Sequence, residues 1–382
     1  MMVFIDSSGL RSSLIGGVCI GISSAALSEW CRSPPRGLLH FIAHPSLPPP
    51  LKVYCNGKIA GISGILLRSL RGGALDLAFL VSMGFAGSLA LGAPPPAAAA
   101  SVGAPAALAA AVLGGAVSGA GFAAASGCTS GHGVCGLGRA SPRSLAAVAT
   151  FMATGALSAS MAPHFSAALA RVGHALGPVG VGALSPLLAL APAALRPVVP
   201  LAVLLLAGAA VVACGGGASA GAGAPPRPQG SASGAQLAAS AACGALFGVG
   251  LAVSGMADPT VVRAFLNPWA PGGWNPRLMA VMGGAVAVTA PAFFFMAKRA
   301  APPALAPEAG PLANVFAYGG AGKNVDVDAR LLLGAAAFGA GWGLCGVCPG
   351  PGVVAACAGS ETAFAVVLSS IVSALVWLRL WG

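Results

Sequence analysis

Charged side chains are scarce in this sequence. Asp, Glu, Lys and Arg together make up 7% of its 382 residues, against about 25% in a typical soluble domain. The hydrophobic fraction is 57% and the mean hydropathy is +0.88. This composition excludes an ordinary soluble domain and predicts an all-α polytopic membrane protein. The sequence also lacks a phosphate-binding loop of the G-x-x-x-x-G-K-[ST] type, so we do not expect direct ATP coupling within it.

Acidic residues are especially few, and the surplus of basic residues gives a net charge of +11. The basic residues are scattered at the ends of apolar runs, and the sequence has no basic block with interleaved aromatic residues. Such scatter is typical of loops that orient a membrane protein. It argues against a nucleic-acid partner, which needs a continuous basic and aromatic surface.

Apolar windows long enough to cross a bilayer predict about 8–10 transmembrane helices. They lie near 12–28, 74–92, 104–127, 144–163, 180–213, 236–257, 278–297, 331–347 and 361–378. The stretch 180–213 is too long for one straight span and contains Pro192, Pro197 and Pro200. One crossing there would give two inverted halves, whereas zero or two crossings would give parallel halves. The sequence leaves this choice open.

Composition divides the chain into a first half at 1–213, a linker at 214–235 rich in Gly, Ala, Pro and Ser, and a second half at 236–382. A Pro-rich insert at 29–52 interrupts the first half. Residues 12–28 fit either the apolar region of a signal peptide or a retained first helix. The internal repeat favours retention, because GVGLAVSGM at 248–256 needs a counterpart near the start of the first half.

The repeat is the most informative pattern. GAGF precedes Cys128 in the first half, and GAGW precedes Cys348 at the same spacing in the second. Each copy then enters a break, GCTSGHGVCG at 127–136 or GVCPGPG at 346–352. Similar breaks are expected at NGKIAGISG (56–64) and SGMADP (254–259). Paired broken helices in two pseudo-symmetric halves predict a binding site near the bilayer midplane, built from re-entrant segments.

The chemistry of these breaks favours an anion. Helix ends inside a membrane expose backbone N–H groups, which can receive a negative charge. A thiol in an apolar site stays neutral and can donate a weak S–H hydrogen bond. His132 is expected to act there as a hydrogen-bond donor. The predicted substrate path comprises Cys128, Cys348, Gly127, Gly131, His132, Pro349 and Gly350.

Other readings of the cysteines remain open. Cys345 and Cys348 form a C-x-x-C, which alone is typical of a thiol-disulfide centre or half of a zinc site. The sequence has no second C-x-x-C and no βαβ pattern. A metal site from Cys128, His132, Cys135 and Cys348 is therefore disfavoured, and we expect neither a metal nor a cofactor. A membrane oxidoreductase or sulfurtransferase using Cys345 and Cys348 is the alternative function.

The strings NGKIAGISG, GCTSGHGVCGLGRASPRSL and TFMATGAL resemble the YeeE/YedE family of sulfur transporters. FGVGLAVSGMADPTVVRAFLNP, GGWNPRLMAVMGGA and GAGWGLCGVCPGP are similar to the partner domain that commonly follows such a protein as a separate chain. The resemblance covers most of 10–28, 56–165 and 236–380. It implies that this chain fuses the two proteins across the linker.

The resemblance implies a transporter, not an enzyme, that takes up thiosulfate through a helical bundle in the cell membrane. Cysteine thiols would contact the substrate in turn, with Cys128 and Cys348 in these roles. A third thiol that contacts the substrate is not assigned, and Cys19 and Cys135 are the candidates. Cys345 is an additional thiol. A cytoplasmic sulfur-accepting protein would be a partner, together with the lipid bilayer.

Overall fold

The computed structural model describes residues 7–30, 61–93, 105–176, 197–214, 234–269, 273–299 and 326–381. All regular structure within these ranges is helical. Apart from their first or last residues, the insert at 29–52, the linker at 214–235 and the loop near 298–329 lie outside the described residues, as do 56–60 of NGKIAGISG.

Within its described residues, the first half contains seven α-helices and a π-helical segment at Thr129–Gly136. The α-helices are α1 (Ser7–Trp30), α2 (Ile62–Ser69), α3 (Ala74–Leu91), α4 (Pro105–Ala125), α5 (Pro142–Met161), α6 (Ser166–Leu176) and α7 (Val199–Cys214). A 3₁₀ turn at Ala162–Phe165 joins α5 to α6. Two of these elements, α2 and the π-helical segment, are only eight residues long. They are too short to cross a bilayer by themselves.

The second half contains six α-helices in the described residues. They are α8 (Gly234–Val253), α9 (Pro259–Leu266), α10 (Arg277–Arg299), α11 (Ala329–Cys345), α12 (Pro349–Cys357) and α13 (Glu361–Trp381). Here too, short helices follow longer ones: α9 comes after α8, and α12 after α11. The short segments therefore begin at the breaks that the sequence predicts.

The predicted all-α, multi-pass architecture is confirmed. In the part of the chain that the structure describes, six stretches are long and apolar enough to cross a membrane: α3, α4, α5, α10, α11 with α12, and α13. The shorter apolar helices α7 and α8 add to these, and α1 packs between α8 and α10. The protein is an all-α, multi-pass membrane protein.

The helix packing is preserved when the two halves are exchanged. The exchange pairs α1 with α8, α3 with α10, α4 with α11, and α5 with α13. The contact of α3 with α8 then corresponds to that of α10 with α1, and the contact of α4 with α13 corresponds to that of α11 with α5. The helix pairs α1/α8 and α4/α11 meet their own counterparts.

The halves run in opposite directions. Ser13 donates to the Ser254 carbonyl at 3.1 Å and Ser23 to the Cys243 carbonyl at 2.7 Å, so α1 and α8 are antiparallel. The pair α4/α11 is also antiparallel, because Gly114 packs on Cys345 while Gly121, farther along α4, packs on Gly334. The structure therefore selects inversion, which the sequence left open. Small residues at these crossings let the backbones approach closely.

The helix directions place most of the described basic residues on one face, the basic face. Arg68 at the end of α2 pairs with Asp76 at the start of α3 at 2.7 Å, and Arg143 at the start of α5 pairs with Asp328 before α11 at 3.3 Å. The same face carries the helix ends that contain Arg71, Arg139, Lys298, Arg299, Arg330 and Arg379. The opposite face carries the ends with Arg11 and Arg277.

Candidate functional site

The break after α4 has a left-handed residue. Ser126 has φ 59°, a conformation that a residue with a Cβ adopts only at a cost. Two residues later, Cys128 is the extended N-cap of the π-helical segment and is 1% exposed. Its thiol lies 3.2 Å from the Ser130 hydroxyl. The reversal at Ser126 thus places Cys128 at the start of a new helical segment inside the protein.

The break after α11 has the same construction. Gly346 is left-handed, with φ 71°, and its N–H donates to the Trp342 carbonyl at 2.7 Å. Two residues later, Cys348 is the extended N-cap of α12 and is 1% exposed. Pro349 follows at the first position of α12, where its fixed φ suits a helix start and its missing N–H costs nothing.

The two breaks meet in the protein interior. The Thr129 hydroxyl donates to the Cys348 sulfur at 3.6 Å, although the two residues are 219 positions apart. The start of α2 joins them, because the Ile62 N–H donates to the Ser130 hydroxyl at 3.1 Å. We call Ile62, Cys128, Thr129, Ser130 and Cys348 the central cluster.

Glycines permit this convergence. A Cβ on Gly61 would lie 3.2 Å from the Gly131 Cα, and a Cβ on Gly350 would lie 3.4 Å from Ile62 Cγ1. The first residues of α2, of the π-helical segment and of α12 are therefore in mutual contact. Of the predicted path residues, Gly131 lies at the start of the π-helical segment, and Pro349 and Gly350 lie at the start of α12.

His132 is buried beside the cluster. Its Nδ1 lies 3.2 Å from the Ser144 hydroxyl and its Nε2 lies 3.2 Å from the Ala125 carbonyl. A carbonyl only accepts, so Nε2 carries the proton and Nδ1 accepts from Ser144. Gly127 lies against this ring, because a Cβ there would come within 2.6 Å of Nε2. His132 thus ties the end of α4 to α5, and both ring nitrogens are engaged.

The further candidate thiols occupy different positions. Cys135 is fully buried near Ser24 of α1, and the Arg139 Nε donates to its carbonyl at 3.2 Å. Cys345 directs its thiol to the Val347 carbonyl at 3.5 Å. Cys19 packs against Gly250 where α1 crosses α8. Cys135 is therefore the additional thiol in the same helical segment as the cluster, while Cys19 lies at a helix crossing.

The fourth predicted break, at SGMADP, is capped by its own residues. Asp258 accepts from the Thr260 N–H at 2.8 Å and from its hydroxyl at 2.7 Å, so it is the N-cap of α9. This break lies next to Gly346, since a Cβ added to Gly346 would be 3.0 Å from the Pro259 carbonyl oxygen. Its role in this structure is to start α9 beside the end of α11.

Sequence reasoning missed three members of the central cluster. Thr129 and Ser130 stood out in the sequence only as polar residues within GCTSGHG. Ile62 contributes only its backbone N–H, which any residue except proline could supply. No pattern within one segment predicts these contacts, because each contact joins residues that are distant in sequence. Trp342 was visible as the single difference between GAGF and GAGW, a signal that could have drawn attention to it.

The arrangement is suited to an anion. The central cluster consists of thiols, hydroxyls and a backbone N–H, and it contains no carboxylate. Within the residues that the structure describes, no group of three His, Cys, Asp or Glu side chains could hold a metal ion. Neutral donors at helix starts can receive negative charge without placing a cation in the bilayer.

Comparison with known proteins agrees with a transport function. Residues 235–380 match a family of unknown function, DUF6691. Two proteins of Xylella fastidiosa strain 9a5c, each described as a probable transporter, are similar to this chain. One is 43% identical over 112 residues, which are 29% of this chain and 68% of that protein. The other is 40% identical over 107 residues, 26% of this chain and 74% of that protein.

A protein of strain Temecula1 with the same description also matches at 43% identity over 112 residues, again 29% of this chain and 68% of that protein. No solved structure matches this chain. The relatives at 43% and 40% identity are each covered over more than two thirds of their length. The chain therefore belongs to the family of these probable transporters.

Proposed function

We propose that this protein transports a small sulfur oxyanion, thiosulfate, through the central cluster between its two inverted halves. The observation that carries the proposal is the contact between Thr129 and Cys348 at 3.6 Å. It brings the two cysteine-containing breaks of the repeat together in the interior. Inverted halves around a midplane site are a common plan for transporters.

The choice of a sulfur anion rests on the donors. Cys128 and Cys348 are both 1% exposed and both start a helical segment. A thiol is a weak donor with a soft, polarizable sulfur, so it can contact a sulfur anion without holding it tightly. Transport needs binding that is strong enough for entry and weak enough for release. The resemblance to the YeeE/YedE family supports thiosulfate among the sulfur anions.

The basic face supports an orientation in the cell membrane. Cytoplasmic loops carry an excess of Lys and Arg, so the face with Arg68, Arg71, Arg139 and Arg143 is the cytoplasmic one. Uptake would then run from the opposite face, through the central cluster, to the basic face. A sulfur-accepting protein in the cytoplasm would receive the anion there.

Fusion of two shorter proteins is consistent with the relatives. The same aligned stretch is 29% of this chain and 68% of one relative, so that relative is less than half as long as this chain. The second relative, from the same strain, is shorter still by the same reasoning. Packing across the halves, as in α1 with α10 and α3 with α8, would allow two separate chains to form the same bundle.

The alternative function is a thiol oxidoreductase that uses Cys345 and Cys348. The Cys345 thiol is buried and directed to the Val347 carbonyl, whereas a redox pair must be reached by a partner thiol. The geometry therefore favours transport without enzymatic chemistry.

The test is uptake of labelled thiosulfate into proteoliposomes. We expect Cys128→Ala and Cys348→Ala to abolish most uptake, because each removes a donor from the central cluster. Cys357→Ala is the matched control: Cys357 is equally buried on α12 but packs against Gly84. Cys345→Ala should retain uptake, whereas its loss would favour the oxidoreductase. No uptake by the wild type under any imposed gradient would contradict the proposal.

A further inference from the structure

We propose that the indole N–H of Trp342 donates a hydrogen bond to the transported anion when the anion lies against Cys348. This inference rests on the proposed function and adds a binding residue to it. The class of ligand is a small oxyanion whose oxygen or terminal sulfur can accept from a buried N–H.

The ring of Trp342 is fixed by its neighbours. It is 1% exposed, lies nearly parallel to the Phe338 ring at a centroid distance of 6.3 Å and meets the Phe151 ring edge-on at 6.0 Å. Its Cε3 edge faces Gly155, where a Cβ would lie 3.4 Å away. These contacts pack around the indole, and the edge that carries Nε1 faces away from Gly155.

That edge faces the central cluster. Nε1 is fully buried beside the Cys348 thiol, but the sulfur is a weak acceptor and lies outside hydrogen-bond geometry. A buried donor without an acceptor is costly, and such groups are rare in folded proteins. An anion resting against Cys348 would supply the missing acceptor.

The internal repeat shows that packing alone does not require the N–H. Phe122 stands in GAGF where Trp342 stands in GAGW, and Phe122 is likewise 1% exposed. The chain therefore fills the equivalent position of its first half with an aromatic ring that lacks a donor. The tryptophan in the second half adds one polar hydrogen, located next to the thiol of its own break.

The test compares Trp342→Phe with the wild type in thiosulfate uptake. Hydrogen bonds to charged groups contribute enough that losing one should raise the KM for thiosulfate by about tenfold or more. Replacing Trp342 by 3-benzothienylalanine, which keeps the ring shape and lacks the N–H, should raise the KM by a similar factor. Trp377→Phe is the matched control, because the Trp377 N–H is also buried without a partner in the described residues but lies on α13, beside Trp381.

The outcomes separate this inference from the proposed function. Uptake by the wild type with an unchanged KM in the benzothienylalanine variant would overturn the role of Trp342 and leave the transport function intact. No uptake by the wild type would overturn both. If Trp342→Phe fails to fold, the benzothienylalanine variant decides alone. An equal rise in KM for Trp377→Phe would also contradict the inference, since a general effect of lost tryptophans would explain it.

Discussion

Replacing Gly346 by Ala should destabilise the protein at the break before Cys348. Gly346 ends α11 with φ 71° and donates its N–H to the Trp342 carbonyl. A new Cβ would lie 3.0 Å from the Arg263 Cγ and Nε and from the Pro259 carbonyl oxygen. The side chain of Arg263 can move, but the carbonyl belongs to the backbone at the start of α9. The substitution therefore meets both a conformational and a steric penalty.

The magnitude follows from the left-handed conformation. A residue with a Cβ costs about 1–2 kcal/mol there, and the contact with the Pro259 carbonyl adds to this cost. Alanine also lowers the conformational entropy of the unfolded chain, which stabilises the folded state by about 0.4–1 kcal/mol. We expect a net loss of about 1–2 kcal/mol, which lowers the ratio of folded to unfolded protein by a factor of about 5–30.

The buried cysteines provide the assay. A fluorogenic thiol reagent reacts slowly with Cys128, Cys345, Cys348 and Cys357 while they are buried and rapidly once the protein unfolds. Thermal unfolding in detergent, followed with this reagent, should occur at a lower temperature in Gly346→Ala. Uptake should fall as well, because Gly346 positions Cys348.

Ser126→Ala is the control. Ser126 stands at the equivalent position, is exposed and already has a Cβ at φ 59°. Its replacement introduces no new conformational cost, so the change in stability should stay within about 0.5 kcal/mol. Equal effects of Ser126→Ala and Gly346→Ala would refute the argument from the left-handed conformation.

Three further predictions follow from the fold and the site. A fluorescent protein fused after Trp381 should fold and fluoresce in the cytoplasm, whereas a cysteine at Gly92 should react with an impermeant reagent from outside; the reverse pattern would contradict the orientation of the basic face. Asp328 has a lowered pKa because it accepts from the Leu331 N–H and faces Arg143. Its stabilising contribution is therefore present above about pH 4, the ordinary pKa, and is lost as the pH falls further through the lowered pKa. In thermal melts from pH 6 to 3, Asp328→Asn should reduce this loss of stability, and an unchanged pH profile would contradict the prediction. Gly61→Ala should reduce thiosulfate uptake, because the new Cβ would lie 3.2 Å from the Gly131 backbone. An equal loss of uptake after an Ala replacement elsewhere in α2 would contradict this explanation.

The membrane helices were predictable because hydrophobic length decides them. The windows at 74–92 and 361–378 became α3 (Ala74–Leu91) and α13 (Glu361–Trp381), with ends within three residues of the prediction. A long uncharged run that crosses a bilayer forms a helix, because its backbone N–H and C=O groups must then be hydrogen-bonded within the segment. The stretch 180–213 was different, since its prolines allowed several crossings. There the structure describes one apolar helix, α7.

The site was only partly predictable. The spacing of Cys128 and Cys348 marked two equivalent positions, and these positions do lie at helix starts. Their meeting through Thr129 could not be read, because it depends on the direction of one half relative to the other. The left-handed Ser126 was equally hidden, since that conformation is typical of glycine and serine gives no local signal for it. The roles of the predicted path residues in transport stay predictions.

The departures from symmetry are the informative part of this repeat. Inversion gives the central cluster similar surroundings toward both membrane faces, so a perfectly symmetric protein would have no preferred direction in its binding groups. This chain breaks the symmetry with Trp342 in place of Phe122, and with basic residues gathered on one face. An anion moving from Cys348 toward Cys128 would leave the indole N–H and approach the π-helical segment that ends near Arg139. That order runs from a neutral donor toward a cation, so the full positive charge lies beyond the central cluster and the anion is not held by a charge within the cluster itself.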